Sequence, residues 1–203
     1  MIKMRIPVFF LFLFFCIQQT MAQSRAEISW ALKHPVAALR VKKITRQCDV
    51  IYAEYKERGQ PDQLENGGRL DAFRHTFYMA AYAQKINKRK LVQLGLAHEA
   101  GNYSDFLNAK LENGEIPDFF SCEMDLYNNE LGIKTGSENQ ELTLDSLAGL
   151  VVQTISEGRA VIMKRNKNAM YLKCSGEVLQ LELYSKEWRV PKCLVNSDYQ
   201  ETD

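Results

Sequence analysis

Asp71-Ala72-Phe73-Arg74-His75 sets a carboxylate three residues before a guanidinium and four before an imidazole. On a helix those offsets bring all three side chains to one face. His98-Glu99-Ala100-Gly101-Asn102 repeats the device, with an imidazole and an amide four residues apart. Met124-Asp125-Leu126-Tyr127-Asn128-Asn129 places a carboxylate three and four residues before paired amides. His98 continues the apolar Leu91–Leu94 stripe, and Asn128 falls in step with Phe120, Met124 and Leu131. Polar groups in such positions are costly to bury unpaired, so the three stretches are expected to meet in one polar site.

These residue types suit a divalent ion. His75 and His98 offer imidazole nitrogen and Asp71 and Asp125 offer carboxylate oxygen, a mixed donor set that favours zinc. Glu99 would then be the general base for a metal-bound water. Arg74 would neutralise a phosphate or carboxylate and join the catalytic set with Glu99, His75 and His98. Asn102, Asn128 and Asn129 would orient substrate. A metal-free route would use His75 and His98 as acid and base around Arg74. His98-Glu99-x-x-Asn102 lacks the second histidine of an H-E-x-x-H zinc protease, and no G-x-S-x-G motif is present. The competing class is a non-catalytic secreted binding domain, in which the same residues form a structural polar network.

Helices are needed to carry these groups. Apolar spacing predicts one from Val36 to Arg58, a second from Arg69 to about Ile86, and a third capped by Asn87. A fourth is expected from Pro117 to near Gly132, and a fifth from the Thr143 cap to just before Gly158. Beyond it, Ala160–Met163 and Met170–Lys173 flank a polar turn, which predicts a hairpin. Leu179, Leu181 and Leu183 alternate with polar residues, which predicts a further half-buried strand. The expected fold is therefore mainly α, a helical bundle-like domain with a small C-terminal β-hairpin or three-strand element. Residues 23–196 would form the domain, with its motif core at about 67–158, and 197–203 a disordered tail.

In this order and spacing the three motifs resemble an uncharacterised bacterial domain family carrying D-A-F-R-H, H-E and M-D-x-x-N-N-x-x-G. The likeness spans about Gly67 to Gly158. Its members occur as exported proteins and as C-terminal modules of larger surface or toxin-like proteins. They often have Trp near Tyr78 and His in place of Tyr127, and this chain departs from them at both points. The resemblance brings no established activity.

The N-terminus reads as a signal peptide over residues 1–22. Lys3 and Arg5 precede the apolar Pro7–Ile17, and Thr20-Met21-Ala22 supplies small residues for a cut before Gln23. The apolar run is short of the roughly 20 residues that span a bilayer. Cleavage implies a secreted or periplasmic protein of 181 residues. Of the chain's 26 basic and 25 acidic side chains, loss of Lys3 and Arg5 leaves 24 against 25. That balance implies no capture of nucleic acid, and no membrane contact is expected once the leader is cut. The substrate class, small molecule or polymer, is open. Export favours disulfides for Cys48, Cys122, Cys174 and Cys193. Three pairings are possible, and Cys174–Cys193 with Cys48–Cys122 is preferred. Trp30 and Trp188 read as packing residues, His34 as an exposed one, and Lys85–Lys90 as a solvated helix junction.

Overall fold

A computed structural model describes residues 24–111 and 114–201; the predicted signal peptide lies outside them. Six helices and two short strands follow in order. The helices are α1 (Arg25–Lys33), α2 (Pro35–Glu57), α3 (Arg69–Ala83), α4 (Lys88–Leu107), α5 (Phe119–Glu138) and α6 (Leu144–Ser156). Strand β1 is Val161–Met163 and β2 is Leu194–Asn196. The fold is mainly α, as the apolar spacing predicts. No helix among the described residues is long and apolar enough to cross a membrane.

Helix α3 runs through the centre. Phe73 and Phe77 are fully buried and stack at 5.3 Å, with Tyr52 and Tyr55 of α2 packed on Phe73. Leu147, Ala148, Val151 and Ile155 close the same core from α6. On its other side α3 packs along α5 in the same direction. A methyl group at Gly132 would overlap the Thr76 carbonyl, and one at Gly136 the Ala80 carbonyl. Only glycine allows the two backbones to come so close. This explains why α5 runs on to Glu138 rather than ending near Gly132: there glycine serves interhelical contact and is not a terminator. The N-terminus of α5 is set by Asp118, whose side chain caps the Phe120 and Ser121 amides.

Helix α1 was not anticipated from the apolar spacing. It begins at a capping box formed by Ser24 and Glu27, and lies along α4. The Trp30 indole donates to the Lys90 carbonyl at 2.9 Å, and His34 meets Gln93 at 3.1 Å. Trp30 is buried, as a packing residue should be, and His34 is half-buried rather than exposed.

The C-terminal segment differs from its expected hairpin. Strand β1 pairs antiparallel with β2, Ile162 opposite Val195. Met170–Lys173 instead meets the chain through isolated bridges, Arg165 with Tyr171 and Leu172 with Val178. The predicted strand around Leu181 is a 3₁₀ turn, Leu181–Tyr184. Leu179 is buried but Leu183 points to solvent, and among the described residues no strand pairs with this stretch, so period-two apolarity alone does not make a strand here. The predicted disordered tail is tied down through Glu201. Ser197 is fully buried and its hydroxyl donates to the Ile155 carbonyl, while Arg69 holds the Ser197 and Tyr199 carbonyls.

Cys174 and Cys193 form the preferred disulfide. The predicted Cys48–Cys122 bridge is absent, and both are buried free thiols. Cys48 sits in the core beneath α2, where burial, with Asp49 nearby, pushes its thiol up to about 12. Cys122 turns instead toward Glu99 of α4; burial and that carboxylate push it higher still.

Two outcomes follow. Alkylation of the unfolded, unreduced protein should label Cys48 and Cys122 and spare Cys174 and Cys193 in peptide mass spectra. Asn128 joins α5 to β1 by donating to the Val161 carbonyl (2.9 Å) and accepting from its amide (3.1 Å). Asn128→Ala leaves both backbone groups unpaired and should cost about 2–4 kcal/mol in denaturant unfolding.

Candidate metal centre

The α3–α5 seam brings Asp71 and His75 against Asp125 and Asn129. His75 Nδ1 lies 3.2 Å from Asn129 Oδ1. An amide oxygen only accepts, so Nδ1 carries the hydrogen and Nε2 turns the other way. There it lies 3.3 Å from Asp125 Oδ1 and 3.6 Å from Asp71 Oδ1. Both aspartates are buried. Two buried carboxylates facing Nε2 call for a positive species among them, whether a proton on Nε2, a guanidinium or a metal ion.

Arg74 meets that demand in this structure. Its Nη2 donates to Asp71 Oδ1 at 2.7 Å and lies 3.2 Å from His75 Nε2. The second Asp71 oxygen accepts from the Gly67 amide at 2.7 Å. Gly67 reaches it from a left-handed conformation (φ 68°), and a side chain there would also strike Met163. Asp71, His75 and Asp125 each offer one ligand atom, all within 4.8 Å of one another, so this buried group could hold a metal ion. An ion with bonds of ~2.1 Å would need only small inward movements of these side chains. Asn129 is then the partner that fixes the tautomer and ring orientation of a ligating histidine.

The group opens onto a cleft of about 370 Å³, its mouth included, lined by Asp71, Arg74 and Asp125 on one side. Glu115, Tyr171 and Lys192 line it as well. The Tyr171 hydroxyl donates to Glu115 at 2.8 Å, and Lys192 Nζ lies 2.6 Å from Asp118 and 4.2 Å from the Tyr171 ring centre. Burial pushes the Tyr171 hydroxyl up, against the pull of Arg165, so it is a neutral donor at physiological pH.

Five of the residues singled out by spacing thus come together: Asp71, Arg74, His75, Asp125 and Asn129. The others go elsewhere. His98 falls outside the three-residue donor group. Its ring centre is 6.5 Å from that of His75, and its Nδ1 is 3.1 Å from Glu27 of α1. Glu99, the expected general base, is buried on α4, accepts from Asn102 at 3.0 Å, lies beside Cys122 and is not among the residues that line the cleft. Asn102 is spent on that contact, and Asn128 on its clamp to β1. Spacing missed Glu27, Glu115, Tyr171 and Lys192. Glu27 could have been noticed as the third residue after Ser24, a capping-box signature; the others carry no local signal.

One family model, described as a domain of unknown function (DUF6973), matches residues 28–159. No curated protein and no solved structure matches the chain.

The His98–Glu27 contact has a pH signature. Burial raises the Glu27 carboxyl, but hydrogen bonds from His98 and the Ser24 amide, with the histidine's charge, outweigh it and hold the group below its ordinary value of 4.5. A depressed folded value stabilises the fold above the unfolded one, and this is lost as pH falls through the folded value. Wild type should therefore melt above Glu27→Gln at pH 6, with the gap closing on acidification below about pH 4.5.

Proposed function

The chain belongs to the DUF6973 family, whose function is unknown, and from the chemistry of its own residues we propose that it is an exported, metal-assisted hydrolase. Its substrate would carry a phosphate or carboxylate. Asp71, His75 and Asp125 would hold a divalent ion, zinc by preference for a mixed nitrogen and oxygen set. The observation that carries this reading is the His75 Nε2 atom, fixed by Asn129 and aimed between two buried carboxylates at the edge of a cleft.

A bound ion would lower the pKa of a coordinated water toward neutrality and polarise the bond to be cut. With that help no separate buried base is required, and Glu99 is not needed in the role. Arg74 would give up Asp71 to the ion and turn its guanidinium to the substrate's anionic group, for which its planar donors are suited. The neutral Tyr171 hydroxyl would have to leave Glu115, to which it donates in this structure, before it could supply a donor to substrate in the cleft. The apolar leader and the Cys174–Cys193 disulfide support an exported setting.

A second reading rests on Arg74 itself. Its guanidinium already compensates Asp71 beside His75, as a purely structural polar network would require.

The two readings separate experimentally. Titration calorimetry with zinc and manganese should show one ion per chain. His75→Ala should abolish binding, Asn129→Ala should weaken it about 10–100-fold, and Arg74→Ala should preserve or tighten it by removing the competing cation. Metal-loaded protein should cleave a nitrophenyl phosphate ester or diester, and Arg74→Ala should not. A chain that takes up no divalent ion, and that cleaves the phosphate esters no faster than buffer does, is a structural network and not a hydrolase.

A further inference from the structure

We infer that the outer face of α1 and α2 docks on an anionic phospholipid surface. From Ile28 to Cys48 the chain carries Lys33, Arg40, Lys42, Lys43 and Arg46 and not one acidic residue. At 100° per residue, Val36, Leu39, Arg40, Lys43, Arg46 and Val50 fall within a roughly 120° arc of α2. All of them are exposed, whereas Ala37, Cys48 and Ile51 turn inward to the core. The apolar members are not grazing the surface: Leu32 at the end of α1 is 78% exposed, Val36 63% and Leu39 71%.

Farther along α2, Glu54 and Glu57 fall in the same arc, Glu54 paired with Arg58 at 3.2 Å, so the basic face ends at Val50. The two acidic residues that bracket the stretch itself are engaged elsewhere. Glu27 is turned to His98, and Asp49 accepts from the Tyr78 hydroxyl at 2.7 Å. The fold then extends the basic field. Arg40 donates to the Lys85 carbonyl and Trp30 to the Lys90 carbonyl, which sets the Lys85, Lys88, Arg89 and Lys90 junction beside this face. Of these, Lys88 has an acidic neighbour, Glu130 at 3.7 Å. No acidic residue occurs between Asp71 and Glu99 in the sequence. A chain whose total charge is balanced thus presents one end that is basic, against an acid-rich remainder.

Basic charge alone would suit any polyanion. The exposed leucines and valines decide among them. A nucleic acid backbone gives them nothing in return for leaving water, whereas the interfacial zone of a bilayer takes up apolar side chains while anionic headgroups meet the surrounding lysines and arginines. Exposed apolar residues rimmed by charge of a single sign are the composition of a membrane-facing surface.

The test is co-sedimentation of the purified chain with vesicles of phosphatidylglycerol and phosphatidylcholine, against vesicles of phosphatidylcholine alone. The N-terminus is read by mass spectrometry, because Pro7–Ile17, if retained, adds charge-independent binding that the neutral vesicles measure. Binding should be confined to, or strongly favour, the anionic vesicles and should fall as salt rises. The combined K42E, K43E and R46E change should weaken it by at least about tenfold. The combined L32S and L39S change should also weaken it while leaving its salt dependence in place. All five positions are exposed, so circular dichroism and melting should match wild type in both variants. Equal binding to neutral lipid, absence of binding, or binding that neither variant alters overturns the inference. So does loss with the charge variant but not the leucine variant, or tighter binding to duplex DNA than to the anionic vesicles; either marks a surface for soluble polyanions.

Discussion

The seam between α3 and α5 is the contact on which the rest of the structure depends. Gly132 and Gly136 let the α5 backbone lie against the carbonyls of Thr76 and Ala80. With the helices that close and running in the same direction, residues just before Thr76 on α3 are brought to face residues one and two turns before Gly132 on α5. Those residues are Asp71 and His75 on one side, and Asp125 and Asn129 on the other. A larger residue at either glycine would push the helices apart by more than a hydrogen bond can stretch, and the imidazole would lose Asn129 and Asp125 together.

Burying two aspartates beside a histidine is unfavourable unless positive charge accompanies them. Several local devices share that cost. The Gly67 amide satisfies one Asp71 oxygen, Asn129 holds the histidine ring, and the Arg74 guanidinium reaches the other Asp71 oxygen and His75 Nε2. The composition of the group is also one that could hold an ion. An ion at this group would compete with the Arg74 guanidinium for the same carboxylate oxygen, which would tie the position of Arg74 to whatever fills the site.

Segments at both ends of the chain finish the architecture. Helix α1 contributes Glu27 to His98, and the stretch after Arg159, past the residues matched by the family model, brings Met163, Tyr171 and Lys192 to the cleft. Asn128 ties this stretch to α5 through the Val161 backbone, and the disulfide joins the Tyr171 loop to the residue next to Lys192. The cleft wall thus depends on residues that share no local pattern with the histidine motif.

How much of this was legible in the sequence follows from which interactions are local. Helix periodicity fixes the offsets among Asp71, Arg74 and His75, and between Asp125 and Asn129, so their shared faces, the main helices and the mainly α class could be read directly. The disulfide between Cys174 and Cys193 was also within reach, since an expected export leader and an even cysteine count after it favour disulfides. Spacing could not tell that Asn128 clamps a strand while its neighbour Asn129 serves the histidine, because adjacent residues on a helix differ by 100° and only the partner helix decides which direction is the site. Nor could it tell that Cys48 and Cys122 face different helices, that Glu99 turns to Cys122, that Gly132 is a contact and not an end, or that balanced charge is segregated in space. Those outcomes depend on the register between helices distant in the chain, and register is chosen by close packing across the whole core, of which no single segment holds a record.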